Sequence, residues 1–500
     1  MIDNLILGFT TALTPENMLW CFVGVAAGTA IGMLPGLGAT TGVAILIPLT
    51  LTMEPVTALI MLAGIYYGAQ YGGTIASVLI ATPGDASAVA TTLDGYAMAR
   101  NGRAGVALAV AAIGSFVASI ISLVLLMALA TPIAHFALNF GPAENLSVMI
   151  LGMTTIVAFS GDKLGKGLAM AGIGILIASV GVASGFSTAR FTFGQVNLLG
   201  GIDFVVLMIG LFAIGEVLSQ VSQGGQKPIR ARFRDMVISR AELAQAFPAM
   251  LRGSLIGFLF GVLPGAGSTL ASFMGYGVER SISKNRSQFG KGAIEGVAAP
   301  ESANNAAANA NFVPTLALGI PGGSTTAVLL GAFVIYGLQP GPMLFENQPA
   351  LVWGLLASFF VGNVLLLILN LPLAPAFAQI LRVPYSMLYP LILFFSLMGA
   401  YAVSNNLFGL NIVFIAGVVG FFLKKYDYPA APLILGLVLG PLLEKSLVQT
   451  SAWTKGDFSL IFQRPIAVSI LVLSLSILIA PLIISRVAKR KMREKDMRDT

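Results

Sequence analysis

Long apolar runs divided by short polar breaks set the pattern of this chain. The runs 105–134, 144–160, 167–185, 202–221 and 466–485 each approach the length of about 20 residues that a helix needs to cross a bilayer. Taken over the whole chain, the runs predict about 12 crossings. Two further stretches, 18–53 and 251–278, read as hairpins that enter and return to the side they came from. Their turns are related: Gly-Met-Leu-Pro-Gly-Leu-Gly at 32–38 returns as Gly-Val-Leu-Pro-Gly-Ala-Gly at 261–267. The echo extends outward, pairing Gly24, Gly28, Gly32 and Thr40 with Gly253, Gly257, Gly261 and Thr269 at one constant shift of 229 positions (24 to 253). Proline and clustered glycine do not continue a helix, so both halves break their backbone in the same place. Broken backbone at membrane depth is tolerated only where protein buries it or a water-filled cavity receives it. Paired interruptions of this kind point to a transporter's substrate site.

Composition agrees with the pattern. The 500 residues are 56% hydrophobic and 10% charged, with a mean hydropathy of +0.88, whereas soluble domains carry about 25% charged residues. The fold class expected is an all-α polytopic membrane protein with re-entrant, broken helices and two inverted-topology repeats. The single cysteine, Cys21, excludes an internal disulfide, and with the single histidine, His135, it leaves no zinc constellation. The net charge of +7 does not indicate nucleic-acid binding, because seven of the 28 basic residues fall in Arg486–Arg498 and others cluster at 227–240 and 280–291. Basic clusters flanking spans set orientation instead.

Residues 1–99 contain no Lys or Arg but include Asp3, Glu16, Glu54, Asp85 and Asp94, which places the N-terminus on the periplasmic side. Arg100 and Arg103, the Asp162–Lys163–Lys166 loop and the Lys227–Arg240 cluster then mark the cytoplasm. Counting back from a cytoplasmic tail places Lys424, Lys425 and Arg382 inside, with Asn405, Asn406 and the Gln339–Pro349 loop outside. The loop near 94–104 is then inside while its counterpart near 339–349 is outside, so the halves are inverted. The organisation expected is a first repeat at 1–222, a basic cytoplasmic linker at 223–250, and a second repeat at 251–445. A loop and an extra helix follow at 446–485, then the tail at 486–500.

Four broken segments carry the candidate chemistry: Pro35–Thr41, Thr82–Ser87, Pro264–Thr269 and Pro321–Thr326. A helix beginning after such a break offers unpaired N–H groups and the positive end of its dipole, an anion site that needs no buried Arg or Lys. Main-chain donors are expected at Gly36, Gly38, Gly84, Gly265, Gly267, Gly322 and Gly323, beside Pro83. Hydroxyl donors are expected from Thr40, Thr41, Ser87, Ser268, Thr269, Ser324 and Thr325. A polyanionic carboxylate fits such a pocket. The glycines at 24, 28 and 32 form a small-residue face whose ordinary meaning is close helix contact. Intramembrane carboxylates mark cation or proton sites; Asp85 lies inside a break, and Glu301 opens the Asn-rich stretch 298–314. Asparagine can donate to a carboxylate and accept a cation, and Asn305 and Asn309 share a helical face. Asp85, Glu301, Asn305 and Asn309 are therefore the candidate ion-coupling residues. No cofactor is indicated; sodium is a candidate ion at these residues, with a proton as the alternative.

No nucleotide-binding, dinucleotide-binding or triad motif appears, so the energy for transport comes from an ion gradient or a partner. The stretches Gly28–Gly42 (GTAIGMLPGLGATTG), Tyr66–Gly73 (YYGAQYGG) and Ala81–Ala86 (ATPGDA), with Gly261–Thr269 and Ala299–Ser324, resemble the large membrane subunit of the tripartite tricarboxylate transporters. The resemblance covers essentially the whole chain. It implies a bacterial inner-membrane secondary transporter, not an enzyme, driven by sodium or protons. It also implies two partners: a small membrane subunit, and a periplasmic solute-binding protein that delivers a carboxylate such as citrate. The rival readings are a passive anion channel or permease, which requires a continuous polar lining, and an intramembrane enzyme, for which the lone His135 offers no acid–base partner.

Overall fold

The computed structural model describes residues 2–34, 36–158, 164–183, 188–220, 229, 233–371, 373–377, 379–382 and 385–479. Pro35, Asp162, Lys163, Lys227, Arg230, Arg232 and the basic tail 486–500 lie outside the described residues. Helix makes up 82% of the structure. The described strands are Gly181–Val182 and Ala189–Arg190, paired antiparallel.

The chain begins with α1 (Ile2–Ala12), α2 (Pro15–Met33), α3 (Gly38–Thr50), α4 (Pro55–Ile80), α5 (Val89–Met98) and α6 (Ala104–Ala137). Next come α7 (Pro142–Ala158), α8 (Leu164–Ala178) and α9 (Phe204–Met208), the last joined by a π turn to α10 (Gly215–Gln220). The second hairpin and its sequel are α11 (Arg240–Val262), α12 (Gly267–Ile282), α13 (Glu295–Ala310), α14 (Phe312–Leu318) and α15 (Ser324–Ile335). Then follow α16 (Pro342–Asn347), α17 (Pro349–Asn370), α18 (Ala374–Phe377), α19 (Tyr385–Ser404), α20 (Leu407–Lys425), α21 (Ala430–Thr454) and α22 (Pro465–Ile479). Among the described residues, six segments are long and apolar enough to cross a membrane: Ala86–Ala137, α11, α17, Met387–Ser404, α20 and Pro432–Thr454. The chain is thus an all-helical, multi-pass membrane protein.

The described residues form two compact units, one within 2–138 and 203–426, the other within 139–202 and 427–479. Two buried helices organise the first. Residues 57–80 of α4 are all buried, and so is every residue of α13. The α13 sequence, EGVAAPESANNAAANA, is too polar for lipid, and complete enclosure by protein makes it tolerable. Glycine permits that enclosure. A Cβ on Gly24, Gly28 or Gly32 of α2 would run into the main chain of Met61, Ile65 or Ala69 in α4. Gly253, Gly257 and Gly261 of α11 meet the main chain of Ala299, Ala303 and Ala307 in α13 in the same way. The contacted triplets are themselves related by a single shift of 238 positions (61 to 299). Small residues let the backbones touch, the ordinary route to helix packing where lipid supplies no hydrophobic drive.

The hairpin α11–α12 carries a bidentate ion pair, Arg252 Nε and Nη2 to Glu279 at 2.8 and 2.7 Å. Glu279 is 2% exposed and Arg252 42%. Arg252→Ala leaves a buried carboxylate without its cation. It is expected to cost about 2 kcal/mol, below the usual range for buried pairs because the guanidinium is half solvated. Thermal unfolding in detergent measures it, with Arg252→Lys expected to recover part of the loss.

In the second unit α21 lies against α7 and α8. Gly174 and Gly436 seat reciprocally, each against the main chain of the opposite helix. Arg464 pairs with the buried Glu144 at 2.9 Å, and Arg190 with Glu444 at 2.9 Å.

Candidate functional site

The four broken segments meet. At the first, Gly36 and Gly38 hold φ of 84° and 53°; at the third, Gly265 and Gly267 hold 78° and 66°. Only glycine adopts that left-handed backbone without strain, so these turns reverse the chain and start α3 and α12 at equivalent points. The second and fourth segments follow α4 and α14, which end at left-handed Ala81 (φ 54°) and Gly319 (φ 70°). Pro83-Gly84 and Pro321-Gly322 come next. Asp85 then caps the short turn Ala86–Ala88, and Gly323 opens α15.

Hydrogen bonds tie the tips to one another. Asp85 accepts the Ser87 N–H through Oδ1 at 2.9 Å and the Ala39 N–H through Oδ2 at 3.1 Å, which joins the second tip to the start of α3. The Thr40 hydroxyl lies 2.9 Å from that of Thr325 and 3.2 Å from that of Ser324, joining the first tip to the fourth. The Gly265 N–H donates to the Gly322 carbonyl at 2.9 Å, joining the third to the fourth. Ser268 reaches the Tyr66 hydroxyl at 3.4 Å, and Asn311 Nδ2 donates to that same oxygen at 3.1 Å. The Ser87 hydroxyl is 2.5 Å from Gln70 Oε1.

Gly38, Thr41, Gly84, Ser87, Ser268, Gly322, Gly323 and Thr325 are buried, while Pro83, Thr40, Gly265, Gly267 and Ser324 are half-buried. Gly36 and Thr269 are exposed, and the Thr269 side chain takes no part in the tip-to-tip bonds. Its position one residue past Ser268 on α12 turns it about 100° around the helix, away from the tips.

A second polar cluster lies along α13. Glu301, 1% exposed, receives the Thr91 hydroxyl at 2.6 Å, the Thr74 hydroxyl at 2.8 Å and the Ser115 hydroxyl at 3.5 Å. Asn305 donates to Ser115 at 2.7 Å, and Asn309 to Ser122 at 2.8 Å, so both stitch α13 to α6. Asp94 and Glu279 are also buried. Asp94 accepts the Gly292 and Ala293 N–H groups and the Tyr276 hydroxyl, pinning the chain that leads into α13.

Several residues here escaped the sequence reading. Tyr66 and Gln70 contact the tips directly and belong to the YYGAQYGG stretch, whose polar atoms within an apolar run were a usable signal, while Asn311, which also reaches the tips, belongs to the Asn-rich stretch already singled out. Thr74, Thr91 and Ser115 gave none, because isolated hydroxyls are common in membrane helices. Polar atoms of Asn304, Asn311, Ser272 and Tyr67 are buried with no hydrogen-bond partner among the described residues. The rings of Tyr66, Tyr67, Phe312 and Phe359 wall this region, with the Phe312–Phe359 and Tyr67–Phe359 centroids at 4.8 and 4.9 Å. Among the described residues no three His, Cys, Asp or Glu side chains gather as a metal site.

An interior lined with hydroxyls and amides, enclosed by apolar helices, places the chain among the polytopic helical membrane proteins. The profile of the Tripartite tricarboxylate transporter TctA family matches residues 18–435. The chain belongs to that family: it is a tricarboxylate transporter subunit and not an enzyme. It is similar to an "Uncharacterized 52.8 kDa protein in TAR-I ttuC' 3'region" of Agrobacterium vitis, 44% identical over 491 residues, 98% of each chain. An "Uncharacterized protein in TAR-II ttuC' 3'region" of the same organism is 48% identical over 234 residues, 47% of this chain and 97% of that one. No solved structure matches the chain.

Proposed function

We propose that this chain is the large membrane subunit of an ion-coupled importer in the bacterial inner membrane. Tricarboxylates or related carboxylates delivered by a periplasmic binding protein are its substrates, and a small membrane subunit works beside it. The carboxylate binds among the four tips, held by main-chain N–H groups at the starts of α3, α12 and α15 and by the hydroxyls of Thr40, Ser87, Ser268, Ser324 and Thr325. Asp85, Glu301, Asn305 and Asn309 serve ion coupling, with sodium or a proton as the ion. The observation that carries this reading is the bonding of Thr40 to Ser324 and Thr325 across nearly three hundred residues of sequence. Helix starts face an anion with their positive ends.

The two halves, 1–222 and 251–445, are inverted repeats in this reading, with the N-terminus periplasmic, the tail cytoplasmic and about 12 crossings in all. The 229-position echo of the hairpins, the matching left-handed glycines and the matching glycine contacts support it. A passive channel needs an open polar lining, and the tips here are bonded shut.

Uptake of radiolabelled citrate and related carboxylates, measured in vesicles with the partner subunits and with or without an ion gradient, tests this reading. Thr40→Val removes both hydroxyl contacts at nearly constant volume, and is expected to weaken substrate affinity about tenfold, the worth of one good hydrogen bond. Unchanged affinity in that variant removes Thr40 from the site. Gradient-independent uptake by the unaltered protein would return the channel reading.

A further inference from the structure

We propose that the coupling ion is a proton and that Glu301 carries it. This rests on the transport reading above and decides between its two ions. The argument comes from comparing how each buried carboxylate is held. The half-buried Asp85 accepts the Ala39 and Ser87 N–H groups besides the Ser87 hydroxyl, and Asp94 the Gly292 and Ala293 N–H groups besides the Tyr276 hydroxyl. A main-chain N–H can only donate, so each of those sites includes donors that cannot turn to accept. Glu279, Glu144 and Glu216 are matched to Arg252, Arg464 and Lys424, which likewise only donate. Glu295 receives the Asn285 amide, again a pure donor.

Glu301 differs. Its described partners are three hydroxyls, on Thr91, Thr74 and Ser115, reaching it from three separate helices. A hydroxyl donates or accepts by rotating its hydrogen. The same cage therefore holds the carboxylate, with each hydroxyl donating, and the carboxylic acid, with one hydroxyl turned to accept. The charge can change without moving a heavy atom. The side chain is 1% exposed and lies in the fully buried α13, with no Arg, Lys or His among its described hydrogen-bond or ion-pair partners. A buried anion lacking a countercharge is strongly disfavoured, so taking up a proton relieves the site of that cost.

The titratable side chain facing Glu301 from α4 is Tyr71. Asp94 on α5, and Arg252 and Glu279 on α11 and α12, are engaged with the partners named above, Tyr276 of α12 donates to Asp94, and Asp85 caps the turn that packs on α13. Along α13 itself, Asn305 bonds Ser115, linking the cage to the seam between α13 and α6. The step balances simply. On one face an oxygen of the carboxylate takes a proton from hydronium, forming an O–H bond and leaving water. On the other face that bond breaks, the electron pair stays on Glu301, and water takes the proton.

The test uses the whole transporter, with its partner subunits, in sodium-free vesicles, and citrate, isocitrate and tartrate as probes. One coupled proton lets a one-unit inward pH gradient sustain about tenfold accumulation. Unaltered protein is expected to show it. Glu301→Gln keeps the volume and mimics the acid; it is expected to lose pH-driven accumulation while still exchanging internal for external substrate at equal pH. Glu301→Asp is expected to restore part of the accumulation. Infrared difference spectra between acid and alkaline pH give a second readout independent of transport: a carboxylic C=O band present in the unaltered protein and absent from Glu301→Gln.

Three results overturn the proposal. Glu301→Gln that still accumulates substrate under a pH gradient is one. Unaltered protein that accumulates only with sodium is another. The third is the same carboxylic band persisting in Glu301→Gln. If the unaltered protein neither accumulates nor exchanges any of the three probes while the infrared band is present and lost on substitution, the transport reading fails and the protonation of Glu301 stands apart from it.

Discussion

Gly84→Ala is expected to abolish uptake by about a hundredfold or more while the protein still inserts and purifies. Gly84 sits at the heart of the second tip, where its added Cβ would fall within the van der Waals radius of the Gly32 carbonyl oxygen and 3.1 Å from the Gly73 Cα. These are main-chain atoms in α2 and α4, so no side chain can swing away to make room. The tip must leave its seat, and Asp85 goes with it. That breaks the link to Ala39 and moves the start of α3 relative to the other tips. A displacement near 1 Å in a positioned site costs about 10²-fold. The matching change in the second half, Gly322→Ala, puts a Cβ 2.6 Å from the Asn311 Cα and is expected to behave alike. Radiolabelled uptake at matched protein density checks both. Uptake within about twofold of the unaltered protein would mean that the tips do not form the site.

Gly28→Ala is expected to destabilise the protein by about 3 kcal/mol, the upper part of the usual range for overpacking. Its Cβ would enter the Ile65 main chain, so α2 and α4 must separate along their whole contact rather than at one point. Gly257→Ala does the same to α11 and α13 through Ala303. Gly277→Ala on α12 meets nothing within 4 Å and is the control. It is expected to be neutral or slightly stabilising, by about 0.5–1 kcal/mol, because alanine is the better helix former. Thermal unfolding in detergent separates the three. Equal stability for Gly28→Ala and Gly277→Ala would show that the close packing is not what holds these helices.

Much of this was legible in the residues. The Pro-Gly breaks and their 229-position echo announced two hairpins, and α2–α3 and α11–α12 are helical hairpins that turn at those points. The glycine face at 24, 28 and 32 carried its packing meaning openly, because only close helix contact asks for that spacing. Glu301 was also visible, as an acid opening a polar stretch too rich in asparagine for lipid. What stayed hidden was how each acid is held. Asp85 looked the better ion site because it lies inside a break; its position at a helix start, with two N–H groups aimed at it, is a matter of three-dimensional placement. Thr74, Thr91 and Ser115 lie on three successive helices, 227, 210 and 186 residues from Glu301, and become one cage only through the packing of α4, α5 and α6 around α13.

The chain's own order of residues determined that it lives in a membrane, that its helices break in corresponding places, and where its glycines demand contact, because hydropathy, proline and the missing Cβ act locally. Tertiary structure alone decided which breaks touch, which carboxylates are matched to fixed donors, and which one is left to hydroxyls. Those outcomes depend on distances between segments hundreds of residues apart, and no local propensity encodes them.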